Sequence, residues 1–243
     1  MGVGMSKKII YWSIWTIPNR LPLISMVSEK PELILNTLPN EHESKENSYR
    51  RCYGSKNKFL NTYVLKSPMT ASAKIIGHSF PPYIEEDVQN KSNMFILQKP
   101  AFKNIHSIEY DFKWIFFSEE SIKMHVYQPY MHQTEAFKYG YVASGSYDIG
   151  KWFRPVNATY NLWEGNDYIS VKQNDPLIYL DFDIDEKVEL REFSINQEIL
   201  DISQACLGYK NYRPNQPFSK IYEVFEKSGN RKRLINEIKK SII

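Results

Sequence analysis

The chain has 243 residues, 42% hydrophobic and 24% charged, with a formal net charge of +3. That length allows one large domain or two small ones with a sizeable core, and the composition is that of an ordinary globular protein. The small net charge gives no reason to invoke a nucleic-acid or membrane partner, and no stretch reaches the ~18 apolar residues that span a bilayer.

In chain order, the first element is IIYWSIWTI (9–17), β-branched and aromatic, which reads as a strand ended by Pro18. Before it, MGVGMSKK supplies two lysines. The apolar run that follows is broken by Ser13, Thr16, Pro18 and Asn19, and no small-residue cleavage site follows, so it does not read as a signal peptide. Gly2 and Ser6 trace the outline of a myristoylation signal, a short and common pattern. Ser28 to Leu33 (SEKPEL) looks like a capped helix start, with Pro39 closing it, and 40–58 is a polar loop. FLNTYVLK (59–66) is a strand stopped by Pro68.

The middle of the chain carries the clearest pattern. In IHSIEYDFKWIFFSE (105–119), Ile108, Tyr110, Phe112, Trp114 and Phe116 fall on one face of a strand, with Ser107, Glu109, Asp111 and Lys113 on the other. KMHVYQPY (123–130) alternates as well, and SIKMHVYQPYMHQTE as a whole reads as a hairpin whose turn falls at Gln133-Thr134-Glu135. Further short segments follow at turn-bounded intervals: YGYVASGSYDI, KWFRPVNATYNLWEG, DYISVKQ, PLIYLDFD and KVELREFSI. Glycine is scarce, at 10 residues, where ~7% usage predicts roughly 17. Aromatics are abundant, with 17 Tyr, 13 Phe and 5 Trp, and such rings favour strands and fill the space between stacked sheets. The fold expected is mainly β, an antiparallel β-sandwich or barrel of jelly-roll type over residues 1–195.

Residues 196–243 form a helical appendage. Ser194 and Gln197 stand at capping-box spacing, with Ile195, Ile199, Ile202 and Cys206 at helical intervals. Helices over 218–228 and 231–241 then present Ile221, Val224, Phe225, Leu234 and Ile238 as an apolar set. Because isolated helices this short are marginal in water, that set is expected to pack on the β domain. Arg231, Lys232, Arg233, Lys239 and Lys240 form a solvated basic face.

Candidate sites are few. Cys52 and Cys206 are too far apart for a metal or disulfide pattern. His106, His125, His132 and Glu135 are the residues from which a metal site, with iron as its cofactor, would be built. Against it, His125 and His132 are an odd number of residues apart, which puts them on opposite faces of a continuous strand, and Pro129 bends the chain between them. No metal or other cofactor is therefore expected. Asp181, Asp183 and Asp185 alternate, as on the wet face of an edge strand. Tyr160, Trp163 and Tyr168, around Gly165-Asn166-Asp167, have the make-up of a ligand-binding face for a carbohydrate or protein, since rings stack while Asn and Asp hydrogen-bond. The same rings also suit the core of a Tyr-rich sandwich.

Three stretches, RRCYGSKNKFLNTYVLKSP, IFFSEE and WFRPVNATYNLWEGNDYISVKQNDPLIYLDF, together with Lys8 and the Tyr11-Trp12-Ser13 strand, resemble a family of β-rich proteins from marine tailed phages and some bacteria, with no assigned chemistry. The family's turn of the form φ-x-x-(G/N)-(D/E)-P-φ is matched by Val171 to Leu177; its Cys-Pro is not, since Tyr53 follows Cys52. The resemblance spans roughly residues 8–195 and implies a β-rich fold and a phage, viral or bacterial origin. Two functions stand side by side. One is a non-enzymatic phage- or virus-encoded binding or virion-associated protein, soluble in the host cytoplasm or carried on the virion. The other is a metal-dependent oxygenase-like enzyme on a β-barrel with divergent ligands.

Overall fold

A computed structural model describes residues 7–15, 30–38, 54, 58–76, 83–88, 94–98 and 105–243. Gly2, Ser6, Cys52, the Ser28 cap and the polar stretch from Asn40 to Tyr53 lie outside the described residues. Among those described, the strands form three sheets. The first contains β1 (Lys8–Ile14), β6 (Phe95–Gln98), β7 (Ser107–Phe117), β9 (Gly140–Val142), β11 (Pro155–Leu162) and β14 (Val188–Glu192). Its order is β14-β1-β7-β11-β9, with β6 also paired to β7. The second contains β2 (Glu32–Leu33), β3 (Thr62–Lys66), β8 (Lys123–Tyr127), β10 (Gly145–Asp148) and β13 (Pro176–Phe182), ordered β10-β8-β13-β3-β2. A third joins β12 (Tyr168–Val171), β4 (Ala71–Ile76) and β5 (Tyr83–Val88). The pairings are antiparallel except β1 with β14.

The sheets stay open and stack, so the sandwich alternative describes the chain. Its core takes Ile10 and Trp12 from β1, Ile108, Tyr110, Phe112, Trp114 and Phe116 from β7, Met124 and Val126 from β8, Ile178, Leu180 and Phe182 from β13, and Ala73, Ile75, Ile169 and Val171 from the third sheet. The five expected inward residues of β7 are all buried, at 0–1% exposure. Their alternation survives an irregularity. Between Trp114↔Val156 and Tyr110↔Ala158, β7 runs four residues against two on β11. An insertion of two preserves side-chain parity, whereas an insertion of one would have flipped the strand. Lys113 absorbs the kink at φ 57°, and the Asn157 side chain holds it, accepting from the Lys113 amide at 2.7 Å while donating to Glu109 and Asp111.

The opposite face of the first sheet carries a helical layer. Tyr11, Ile115 and Phe117 pack with Ile199, Ile202 and Cys206 of α1 (Gln197–Tyr212), Ile221 and Phe225 of α2 (Phe218–Lys227), and Leu234 and Ile238 of α3 (Asn230–Lys240). Polar groups fasten the edge of this layer. Glu119 accepts from Tyr11 and Lys239, each at 2.8 Å, Arg231 donates to the Glu119 and Gly150 carbonyls, and Ile242 bridges to Phe193. Two expectations need correction here. The first helix is capped by Asn196, whose side chain accepts from the Ile199 amide at 2.9 Å, and not by Ser194, whose amide instead donates to the Ser241 carbonyl. Val224 is 38% exposed because the buried stripe of α2 narrows to Ile221 and Phe225, one turn apart.

Two readings of the β region also change. SIKMHVYQPYMHQTE does not form a hairpin. β8 pairs with β10 and β13, and the turn after it falls at Pro129–His132, closed by His132 N–H donating to the Pro129 carbonyl at 3.0 Å. The chain then crosses to the other sheet through a 3-10 turn, Glu135–Lys138, and enters β9. The three aspartates are likewise not the wet face of one edge strand: Asp183 and Asp185 are exposed beyond the end of β13, and only Asp181 lies within it. β13 is the central strand of its sheet, and Asp181 is 7% exposed, ion-paired to Lys58 and accepting from Thr62.

Candidate functional site

Where the chain crosses between the sheets, the 3-10 turn Glu135–Lys138 meets β9, β12 and the turn that follows β12. That last turn is built by Asn174, at φ 67°, a left-handed backbone that Asn tolerates better than most residues. It turns Asp175 back, so that its carboxylate accepts from the Glu135 amide at 3.0 Å, while the Asp175 carbonyl accepts from the Ser67 amide at 2.8 Å. The Asn-Asp pair of the Val171–Leu177 motif thus has a structural reason: one residue makes the bend and the other ties the crossover to it.

The tied elements border an open cleft of about 500 Å³ lined by Gln133, Thr134, Glu135, Phe137, Lys138, Lys172 and Asp175. Glu135 sits between two ammonium groups, Lys138 Nζ at 3.0 Å and Lys172 Nζ at 3.1 Å, and they hold its carboxyl below the ordinary carboxylate range. The same contact raises Lys138. Thr134 is buried, and its hydroxyl has no hydrogen-bond partner within the protein.

Beside the cleft lies a strip of rings. Trp163 is 46% exposed, lies 5.0 Å from the Tyr141 ring, and spends both its nitrogens internally. Its indole donates to the Phe137 carbonyl at 3.1 Å and its amide to the Tyr139 carbonyl at 2.8 Å. Tyr168 meets Tyr139 edge-on at 5.0 Å, and the Asn166 side chain donates to the Tyr139 carbonyl at 3.1 Å. Of the three rings expected to bind ligand, Trp163 is exposed and Tyr168 is half-buried. Tyr160 is not at the surface: it is fully buried on the inward parity of β11, with its hydroxyl donating to the Leu177 carbonyl at 3.2 Å. Burial accordingly pushes its pKa far up. Sequence reasoning missed Phe137, Lys138, Tyr139, Tyr141, Lys172 and Asp175. The aromatic pair Tyr139 and Tyr141, flanking Gly140 where the 3-10 turn passes into β9, was a usable signal.

The alternative ligand set is dispersed. His106 is exposed just before β7. His125 is paired in register with Asp181, stacks on Tyr127 and lies 3.8 Å from Asp183. His132 hydrogen-bonds Tyr179 and faces Thr37, Glu32 and Lys66. Glu135 belongs to the cleft. His125, Tyr127, Tyr179 and Asp181 share the outer face of the second sheet, so the opposite-face argument for the histidines fails: the turn at Pro129 brings His132 back over Tyr179. The two imidazoles nevertheless have different partners, and among the described residues no group of three or more His, Cys, Asp or Glu is placed to hold a metal. Cys206 is buried, which pushes its thiol up to about 12. No helix among the described residues is long and apolar enough to cross a membrane. No protein-family model matches the chain, and no curated protein matches it.

Proposed function

We propose that the chain is a non-enzymatic binding or virion-associated protein and, following the resemblance of its sequence, a phage- or virus-encoded one. The observation that carries this reading is Trp163. It is a large ring, half in solvent and fixed from behind, that has already used its hydrogen-bond donors on the protein. What it offers outward is an apolar face, the kind of rigid surface on which a carbohydrate or a protein side chain stacks. The cleft beside it adds polar groups that orient a ligand.

The test presents immobilised oligosaccharides and peptides to the purified chain and to Trp163→Ala. Binding to at least one probe that falls about tenfold or more in the variant, at an unchanged melting temperature, supports the reading, since exposed aromatic anchors carry such energies. Binding indifferent to Trp163, or turnover of 2-oxoglutarate by iron-loaded protein that is lost in His125→Ala and His132→Ala, would overturn it.

A further inference from the structure

We infer that the cleft formed by Thr134, Glu135, Phe137, Lys138, Lys172 and Asp175 is a subsite for the hydroxyl groups of a neutral carbohydrate; this rests on the reading of the Trp163 strip as a binding face. The cleft's volume of about 500 Å³ lies in the ordinary range for small-molecule sites, roughly 300–1,000 Å³. Its lining decides the ligand class. The charges of Lys138 and Lys172 are balanced by those of Glu135 and Asp175, so the cleft carries no net charge. An anionic ligand reaching the spare donors of the two lysines would lie against the carboxylates of Glu135 and Asp175, a like-charge contact that offsets the attraction.

A neutral polyol meets no such repulsion. Its hydroxyls accept from the ammonium N–H groups and donate to carboxylate oxygens with the Glu135 pairs intact, because a carboxylate has about four acceptor positions and an ammonium three donors. Phe137 supplies an apolar wall for the C–H face of a sugar ring. The Thr134 hydroxyl in the same wall is a buried polar group without a partner in the protein, one of seven such side-chain groups among the described residues and the one that lines the cleft. A side-chain rotation toward the cleft would give it a ligand hydroxyl. The adjoining Trp163 ring takes the next sugar, so the site suits an oligosaccharide better than a single ring.

Calorimetric titration with maltotriose, cellotriose and chitotriose, against sialyllactose and inorganic phosphate as anionic probes, tests this. The expected result is binding of a neutral trisaccharide that changes little between low and high salt. It should weaken about tenfold in Lys172→Ala and in Lys138→Ala, as loss of a hydrogen bond to a charged group would do. Thr134→Val removes no hydrogen bond within the protein, so it should leave the melting temperature unchanged and still weaken binding. Binding of the anionic probes alone, with affinity falling steeply in salt, overturns the inference. So does neutral binding that is lost in Trp163→Ala but unchanged in all three cleft variants, an outcome that leaves the binding face standing. The absence of Trp163-dependent binding to any sugar or peptide overturns both.

Discussion

Gly140 has no room for a side chain. A Cβ there would fall on the Asn161 carbonyl oxygen and 2.9 Å from Leu162 Cα, so β9 lies close to β11 only because the residue between Tyr139 and Tyr141 is glycine. Gly140→Ala should push β9 outward, cost on the order of 2 kcal/mol as an overpacked site does, and spoil the ring strip. A thermal melt and the oligosaccharide titration check the two effects together, and an unchanged melt contradicts the packing described. His132 makes a second prediction at this scale. Burial holds its imidazole below the ordinary 6.5, so the native state favours the neutral ring while the unfolded chain protonates first. Its stabilising contribution is therefore complete above pH 6.5 and is lost as the pH falls from there toward the native value. Melting temperatures followed down from neutral pH should fall more in the wild type than in His132→Gln; equal slopes would show that the ring is not held neutral. Individual residues were readable from sequence where parity alone decided them, as at Ile108 to Phe116. They were not readable where partners came from afar: nothing near Glu135 announces Lys172, 37 positions on.

The secondary-structure elements divide in the same way. The strands of the middle region were legible because each alternates, but their pairing was not. SIKMHVYQPYMHQTE looks like a hairpin because adjacent strands usually pair, whereas β8 finds its partners at β10 and β13. Asp181, Asp183 and Asp185 looked like an edge, but only Asp181 lies in β13, flanked by β3 and β8, while Asp183 and Asp185 follow the strand and are exposed. In the helical layer the period was right and its width was not. Phe225→Ala should cost about 3 kcal/mol, since the ring is enclosed at 2% exposure against Trp152. The adjacent Val224→Ala, at an exposed position, should stay within about 0.5 kcal/mol. Chemical denaturation of the pair separates docked from loose helices, and equal small losses would show that α2 does not pack on the sheet. Asn196→Ala should cost about 1 kcal/mol through loss of the cap, while Ser194→Ala should cost little; the reverse order would restore the capping box expected from sequence.

On the scale of the whole molecule, two larger sheets and a third three-stranded one bury an aromatic core, helices cover the outer face of one sheet, and the chain crosses between the two larger sheets from β8 to β9. The fold class was legible because composition and period-two alternation both report burial between sheets. The position of the site was half legible: exposed Trp163 and half-buried Tyr168 were visible as rings around a turn, but the cleft depends on bringing 133–138 against 172–175, which no local pattern encodes. The central claim is where ligand binds. Hydrogen–deuterium exchange of the full chain with and without the saturating trisaccharide tests it most directly. The account predicts slowed exchange in residues 133–142 and 163–175, with the His125 segment unaffected. Protection confined to 123–132 and 179–183, around His125 and Asp181, would contradict it and move the site to the outer face of the second sheet.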